Sequence, residues 1–295
     1  MIVMFGGHHS FLPAFFGKLF GKPCLIICGG TDCVSFPSIG YGNFRGGWLS
    51  VVTRWSYKLA AHLAPVHKSL AGYAYTYDDS DFKKQGILSF MPDLKTPMTV
   101  INYGFDPDKW IVRRTPDGES KNKIPDSFIT VAAGLEKPYR AKLKGVDLIL
   151  EAATHFPEAT FTIIGCPDDY KLPVRSSNIK THSFVSNAEL KDIYNQHEFY
   201  LQVSMSEGFP NAICEAMTCG CIPIGSNVGG IPDIIGDAGF ILMKRDAGRF
   251  RNLLAEAIRC DKKMFSSKAR SRIMEKYPED LRRGQLLKLV DKLIN

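Results

Sequence analysis

Residues 203–227 read VSMSEGFPNAICEAMTCGCIPIGSN, and this stretch decides the fold. The apolar run that ends at Ser206 predicts a buried parallel strand, and residues 209–218 predict a helix that is closed by a glycine. Glu207 and Gly208 lie in the turn between them. In an open parallel sheet, ligands bind at the carboxyl ends of the strands, where the next helix offers unpaired N–H groups. We therefore expect an anion-binding site in this turn.

Two carboxylates accompany the turn. Glu207 lies within it, and Glu215 follows about two turns into the predicted helix. Carboxylates accept hydrogen bonds from sugar hydroxyls, so the pair favours a ligand that is both anionic and rich in hydroxyls, as a nucleotide sugar is. The alternative is a surface turn whose acidic residues have no function, and the pattern by itself leaves both interpretations open.

A family resemblance decides between them. The run EGFP at 207–210 is followed by Glu215 and by VGGIPD at 228–233. This pattern resembles the signature of glycosyltransferase family 4, whose enzymes have the GT-B fold. The resemblance implies that Glu215 holds the ribose of a nucleotide-diphosphate sugar and that Glu207 is the catalytic residue that contacts the transferred sugar. The implied donor-binding residues of the turn are Gly208, Phe209, Pro210 and Asn211.

The composition agrees with an α/β fold of two domains. The chain has 295 residues, of which 45% are hydrophobic and 23% charged. A β-α-β unit is predicted at 2–28, and the second half alternates strands and helices, which is typical of a doubly wound parallel sheet. The resemblance implies GT-B architecture, with two Rossmann-like domains that face a cleft. We also expect a helix over 48–64 and a strand over 99–104.

The predicted domains follow from the composition and from the resemblance. An N-terminal acceptor-side domain covers 1–112, a polar linker covers 113–127, and a nucleotide-sugar-binding domain covers 128–274. The terminal helix, 275–295, either crosses back to the first domain or lies on its own. Family members usually open with a β-α unit that carries a glycine-rich loop. This chain starts at what resembles an inner strand, so we expect a short, truncated first domain.

The basic residues after the first strand of the second domain are candidates to bind the diphosphate. The family usually has an arginine where Leu135 stands, whereas Lys144 with the next glycine matches the family pattern. Arg140 is the nearest guanidinium that could bind a diphosphate bidentately, and Lys142 is a rival. The alternative is a solvated basic loop.

The glycine-rich loop after residue 28 is predicted to form the acceptor side. Gly29, Gly30 and Asp32 belong to it. Many relatives have a histidine at the position of Gly29, which puts a histidine-dependent role at the reacting centre in doubt. His8 and His9 are close in sequence, but a capping or packing role is favoured for them.

The first predicted helix, 10–21, is unusually apolar. It carries six large apolar residues between positions 11 and 20, with Lys18 and Lys22 beside them. A helix buried on two sides is the favoured interpretation. The alternative is peripheral contact with an anionic membrane or with a lipid-linked acceptor.

Several other classes of site and partner are disfavoured. Asp79 and Asp81 do not follow an apolar strand and are interpreted as a solvated turn, so no metal site and no essential cofactor are expected. The eight cysteines have no zinc-ligand spacing and are interpreted as reduced core thiols. The net charge of +7 favours anionic partners, but no nucleic-acid-binding pattern is recognisable. Without a secretory signal, the chain is predicted to be cytoplasmic, either free or in peripheral contact with the inner face of the membrane.

These observations predict a hexosyltransferase. It would move a sugar from a nucleotide-diphosphate sugar to a hydroxyl of a glycan or lipid-linked acceptor, and the resemblance implies that the anomeric configuration is retained. The alternative is a catalytically silent subunit that binds a nucleotide sugar or a partner protein. The glycine at position 29 and the short first domain favour that alternative.

Overall fold

A computed structural model describes residues 1–110, 123–137, 139–174 and 176–294. The chain forms two compact units. Unit 1 consists of Met1–Gly104, Ser206–Phe209 and Glu279–Asn295, and unit 2 of Phe105–Met205 and Pro210–Pro278. Residues 113–122 of the predicted linker lie outside the described residues. Residues 124–127 of that linker begin a strand, and the predicted domain boundaries stay predictions.

Unit 1 is built on a short parallel sheet. Its strands β1 (Ile2–Met4), β2 (Leu25–Cys28) and β3 (His62–Pro65) pair in that order. The long helices are α1 (His8–Leu19), α2 (Gly47–Leu59) and α11 (Glu279–Ile294). A hairpin of β4 (Tyr73–Ala74) and β5 (Lys84–Gln85) and the short helix α3 (Ile87–Phe90) complete the unit. The predicted β-α-β unit is confirmed.

Two predictions for unit 1 are wrong in detail. The helix predicted over 48–64 ends at Leu59, because His62–Pro65 pairs with β2 as a strand. The segment predicted as a strand over 99–104 makes backbone hydrogen bonds to β3 without forming a regular ladder. The N–H of Thr99 donates to the Leu63 oxygen, and that of Ile101 donates to the Pro65 oxygen, each at 3.0 Å.

Unit 2 contains a parallel sheet of six strands. In chain order they are β6 (Ile124–Val131), β7 (Thr160–Ile164), β8 (Ile179–His182), β9 (His197–Gln202), β10 (Ile222–Ser226) and β11 (Phe240–Leu242). Its helices are α4 (Arg140–Lys144), α5 (Val146–Ala153), α6 (Asn187–Gln196), α7 (Asn211–Thr218), α8 (Ile231–Ile235), α9 (Ala247–Ile258) and α10 (Lys262–Lys276). The doubly wound parallel sheet is thus confirmed, whereas β11 and the short helix α4 were not anticipated.

The strand order of unit 2 locates a binding crevice. The order is β11-β10-β9-β6-β7-β8. From β6 the chain proceeds outward through β7 and β8, then returns to the other side of β6 with β9 and proceeds outward through β10 and β11. The direction of winding therefore reverses between β6 and β9. Ligands of open parallel sheets bind outside the carboxyl ends of the strands at such a switch point, so the loops after β6 and β9 are the candidate binding elements.

Aromatic packing stabilises the centre of this sheet. The ring of Phe128 on β6 stacks on Phe161 of β7 and on Phe199 of β9, with centroid distances of 4.9 Å in both pairs. All three residues are buried. These rings join the strands on either side of the switch point into one core, which gives the two loops a rigid base.

The helices of the structure were compared with the length and hydropathy that a membrane-spanning helix needs. Among the residues that the structure describes, no helix has both the length and the apolar character needed to cross a bilayer.

Candidate active site

The loop after β9 carries the turn with which the sequence analysis began. β9 ends at Gln202, four residues before the predicted end at Ser206, because the chain leaves the ladder to make side-chain hydrogen bonds. The Gln202 amide donates to Ser204 Oγ at 2.8 Å, and Ser226 Oγ donates to the Ser204 carbonyl at 2.6 Å. α7 begins at Asn211, two residues later than predicted, after an extended Pro210. The strand-turn-helix order is confirmed with these shifted ends.

Glu215 lies on α7 and is half-buried. It is four residues after Asn211, so the two side chains lie on the same face of the helix, one turn apart. Burial raises the pKa of the Glu215 carboxyl from its ordinary value near 4.5 to about 7. Hydrogen bonds from ligand hydroxyls to the ionised form would lower that pKa again. Near neutral pH, Glu215 can therefore gain more from a hydroxyl-bearing ligand than an exposed carboxylate would.

The short basic helix α4 packs against the loop after β9. The N–H of Met205 donates to the Leu143 oxygen at 2.8 Å. Gly145, which follows α4, has a φ of +72°, and a Cβ atom there would lie 2.3 Å from the Val203 oxygen. Only glycine permits this approach, since any side chain would collide with backbone. The loops after β6 and β9 are thereby held together at the switch point.

Two of the predicted diphosphate ligands lie on α4. Arg140 and Lys144 are both half-buried, at the first and last positions of the helix. The Nε atom of Arg140 is buried and makes no hydrogen bond within the described residues, and the guanidinium lies 5.7 Å from the centroid of the Tyr139 ring. A buried donor of this kind gains energy when an anionic acceptor reaches it. This geometry supports the prediction for Arg140 but does not test it.

Leu135 shows why the usual arginine position cannot serve here. Its side chain is buried in a hydrophobic cluster with Ala132, Val146 and Ile163. The chain therefore uses this position for the core of unit 2. Any guanidinium that binds a ligand at this edge of the sheet has to come from another residue, and Arg140 follows five positions later.

Unit 1 contains the other predicted residues of the turn. A Cβ atom at Gly208 would lie 2.3 Å from the Gly29 oxygen, so glycine is required at position 208 as well. The buried ring of Phe209 lies near the rings of His67 and Tyr103, with centroid distances of 6.2 Å in both pairs. The Phe209 side chain therefore anchors the turn, and its backbone is the part left for the predicted donor contact.

A cavity of about 400 Å³ lies in unit 1 beside this turn. Glu207, Gly208, Gly29, Gly30 and Asp32 contribute to its wall, so the predicted catalytic residue and the predicted acceptor-side loop meet. The other lining residues are Phe5, Gly6, Gly7, His8, His9, Thr31, Tyr41, Asn43 and Leu49. A small hydroxylated group would meet polar side chains and glycine backbone in this cavity.

Asp32 holds part of the cavity wall in place through hydrogen bonds. Its carboxylate is 2% exposed and accepts four hydrogen bonds. The donors are the N–H groups of Gly6 at 2.8 Å, Gly29 at 3.1 Å and Gly30 at 2.8 Å, together with the Tyr57 hydroxyl at 2.9 Å. Both carboxylate oxygens are thus used within the protein. Asp32 is best described as a positioning residue for the acceptor-side loop, because both of its carboxylate oxygens already accept hydrogen bonds from backbone N–H groups and from the Tyr57 hydroxyl.

The histidines at the start of α1 line the cavity. The capping or packing role that the sequence favours for His8 and His9 stays a prediction. The Met4 carbonyl lies 2.9 Å from Nε2 of His9, and since a carbonyl only accepts, Nε2 carries the proton. The sequence signal for this location is the segment that they belong to, which follows the carboxyl end of the parallel strand β1.

One group of possible metal ligands lies nearby. Within the described residues, a sulfur of Cys28, a carboxylate oxygen of Asp32 and a sulfur of Cys33 lie within 4.8 Å of one another. All three residues are buried, and burial raises the pKa of the Cys33 thiol well above its usual range. Because Asp32 is already saturated with hydrogen-bond donors, a core role explains this group, and the prediction of a metal-free site stays a prediction.

Comparisons with known proteins place part of this chain among glycosyltransferase sequences. Residues 138–275 match the family described as Glycosyl transferases group 1. The serotype-specific mannosyltransferase WbdA of Escherichia coli is 24% identical over 233 residues, which are 75% of this chain and 27% of that protein. The chain thus spans about a quarter of the length of this relative.

Solved structures show the same fold. Sucrose-phosphate synthase of Thermosynechococcus elongatus superposes with a TM-score of 0.71 at 14% identity, covering 99% of this chain and 73% of that one. HepE of Anabaena, in complex with UDP and glucose, gives a TM-score of 0.68 at 13% identity, covering 96% of this chain and 75% of that one. These matches confirm the predicted α/β GT-B fold.

The raised pKa of Glu215 predicts a pH dependence of stability. A carboxyl whose pKa is higher in the folded state binds more protons when folded, so its contribution to the free energy of unfolding falls as the pH rises from about 4.5 to about 7 and is constant above. The difference in unfolding free energy between the unmodified chain and Glu215→Gln should therefore fall over this range in urea titrations. The exposed Glu275→Gln is the matched control, and a flat difference curve for Glu215→Gln would contradict the assignment.

The hydrogen bonds of Asp32 predict a large effect of an isosteric substitution. In Asp32→Asn the amide NH₂ replaces one carboxylate oxygen, and each of those oxygens accepts at least one backbone N–H, so at least one buried N–H loses its acceptor. We expect the free energy of unfolding to fall by about 2–4 kcal/mol in urea titrations. The control is Asp93→Asn at an exposed position of the same unit, which should change it by less than about 0.5 kcal/mol. Equal effects would mean that the carboxylate does not hold the loop.

Proposed function

We propose that this chain, which carries a group 1 glycosyltransferase domain at 138–275, moves a sugar from a nucleotide-diphosphate sugar to an acceptor hydroxyl. The observation that carries the proposal is the meeting of α4 and the loop after β9 at the switch point of the unit 2 sheet. This edge of the sheet brings cations, the start of α7 and Glu215 into one region. A nucleotide sugar is the ligand whose charges and hydroxyls fit such a set.

The donor's diphosphate is assigned to the positive groups. Arg140 and Lys144 and the backbone N–H groups at the start of α7 would balance its charge, and they would stabilise the additional negative charge that develops when the sugar leaves. Glu215 would accept hydrogen bonds from the ribose hydroxyls. No divalent metal is needed in this arrangement, so donor binding is proposed to be metal-independent.

The acceptor is assigned to the cavity of unit 1. Glu207 is proposed to contact the transferred sugar, with Gly29 and Gly30 on the acceptor side. The acceptor would be a hydroxyl of a glycan or of a lipid-linked molecule, and transfer would proceed with retention of the anomeric configuration, as the family resemblance implies. The comparisons support the sugar-donor part of the proposal, since one relative is named a mannosyltransferase and one structural neighbour was solved with UDP and glucose.

A catalytically silent subunit is the second candidate. Position 29 is a glycine, and the sheet of unit 1 has three described strands. Both observations favour a chain that binds a nucleotide sugar without transferring it. Turnover, measured separately from donor binding, distinguishes this candidate from the enzyme.

The setting of the reaction is part of the proposal. A lipid-linked acceptor would require peripheral contact with the anionic inner face of a membrane. Within the cytoplasm, the net charge of +7 would favour that contact.

The test is calorimetric titration with a panel of UDP- and GDP-linked sugars in the presence of a chelator. We expect one of them to bind without metal. Glu215→Ala should weaken that donor roughly tenfold to a hundredfold, because a hydrogen bond to a charged group contributes on the order of 1.5–3 kcal/mol. Binding that appears only with magnesium or manganese would contradict the assigned contacts, and so would an unchanged affinity in a folded Glu215→Ala variant.

Glu207→Ala is the companion variant in the same experiment. Its proposed contact is with the reacting sugar alone, so it should reduce turnover at saturating donor much more than it reduces donor affinity. A chain that binds donor, but shows no turnover with any acceptor before or after this substitution, would be the silent subunit.

A further inference from the structure

The first two helices of unit 1 expose large apolar side chains. On α1 only the small residues Ser10, Ala14 and Gly17 are buried, so the predicted helix with two buried sides is wrong. We define the aromatic face as the exposed apolar residues on and beside α1 and α2, each between 41% and 67% exposed: Leu12, Phe15, Phe16, Leu19, Phe20, Trp48, Val51 and Trp55. Exposed apolar surface of this extent marks an interaction site rather than ordinary surface.

The two helices of the aromatic face belong to one packed pair. The Ser56 hydroxyl of α2 donates to the Gly7 oxygen at 3.1 Å, and the ring centroids of His8 and Trp48 are 6.0 Å apart. Within α1, the spacing of the exposed residues follows the helical repeat, and the rings of Phe16 and Phe20 stack at 6.0 Å. The large side chains therefore project from the outside of the pair, while small residues form its packed side.

The first quarter of the chain, which contains both helices of the aromatic face, is strongly basic. Residues 1–77 contain six lysines and arginines and a single carboxylate, so this first quarter of the chain holds five of the seven net positive charges. The single carboxylate is that of Asp32, which is buried. The cations are Lys18, Lys22, Arg45, Arg54, Lys58 and Lys68. An anionic surface would meet cations here and no exposed carboxylate from this part of the chain.

We propose that the aromatic face lies on an anionic lipid bilayer. Helices that lie in the membrane interface combine Trp, Phe and Leu on one face with lysine and arginine beside them, and each lysine near an anionic leaflet adds to the attraction. The Lys58 ammonium lies 5.9 Å from the centroid of the Trp55 ring, the combination of amphipathic side chains that prefers the headgroup level. A second copy of the chain fits less well, since a symmetric contact would place cations of the same sign opposite one another.

This inference deepens the proposed function and rests on it for its biological purpose. His8 and His9 begin α1 and Leu49 belongs to α2, and all three line the cavity assigned to the acceptor. The helices that carry the aromatic face thus also form one wall of that cavity. A hydroxyl carried by a membrane lipid would reach the cavity while its acyl chains stay in the bilayer.

Vesicle flotation tests the inference without requiring turnover. The probes are vesicles of phosphatidylcholine alone and vesicles containing about 30% phosphatidylglycerol. We expect the full chain to float with the anionic vesicles at low salt, to be released by high salt, and to float poorly with the neutral ones. In a Trp110→Phe variant, the remaining fluorescence comes from Trp48 and Trp55, and it should shift to the blue and be quenched by brominated lipid.

Matched variants separate the contributions of the face. Phe15→Ser with Phe16→Ser should abolish flotation, whereas Phe184→Ser, at a position that is 92% exposed in unit 2, should not. Lys18→Gln with Lys22→Gln should lower the partition coefficient about tenfold to thirtyfold. The control is Lys263→Gln with Lys276→Gln at exposed positions of α10, which removes the same charge and should change it little.

Three results would overturn the inference. These are no flotation with anionic vesicles, flotation that the Phe15 and Phe16 changes leave intact, and self-association that those changes abolish without any lipid binding, which would assign the face to a second copy. Failure of the proposed function is a separate outcome, because a chain that floats but binds no nucleotide sugar would retain the membrane surface and lose the transferase assignment.

Discussion

The close approach of Gly145 to the Val203 carbonyl is the constraint on which the candidate donor site depends. A left-handed glycine with no room for a Cβ atom lets α4 reach the loop after β9, and the hydrogen bond from Met205 to Leu143 holds it there. The sheet supplies the base, since Phe128 links the strands on either side of the switch point. A basic helix thereby packs on the loop that leads from β9 to α7, at the edge of the sheet where a helix N-terminus favours an anion.

In unit 1 a buried carboxylate has the corresponding role. The Asp32 carboxylate accepts hydrogen bonds from the N–H groups of Gly6, Gly29 and Gly30. Two loops that are far apart in sequence therefore form one wall of the cavity. Burial and the neighbouring charge of Asp32 raise the pKa of Tyr57 well above its usual range, so this residue remains a hydroxyl donor to the carboxylate. The glycines leave the cavity open, and Asp32 fixes where they lie.

Much of the fold could be predicted because its signals are local. The apolar strands with intervening helices indicated the parallel sheet, and the strand-turn-helix order around Glu207 was recognisable from residue types. The predicted end of β9 is wrong, because Ser204 accepts hydrogen bonds from the side chains of Gln202 and of Ser226 on the neighbouring strand β10, a contact that no local pattern contains. The sequence predicts a helix over the residues that begin β3, because a run rich in alanine and leucine favours a helix. In the structure these residues pair with β2 instead.

The residues assigned to the candidate site stay predictions, and parts of its geometry could not be predicted from the sequence. The spacing of Glu207 and Glu215 and the glycines at 29 and 30 were informative. The saturation of Asp32 and the burial of the Arg140 Nε are tertiary facts that spacing cannot reveal. The large apolar residues of α1 favour a helix with two buried sides, and this prediction is wrong, because residue types do not say whether an apolar face is covered. The structure exposes it, because the packed side of α1 uses small residues.

The most direct test of the central claim is hydrogen–deuterium exchange of the full chain with and without UDP or GDP, read by mass spectrometry. If the nucleotide binds at the switch point, exchange should slow in peptides that cover 139–145 and 206–215, while peptides from α9 and α10 stay unchanged. Nucleotide binding that protects other segments and leaves both of these unchanged would contradict the account.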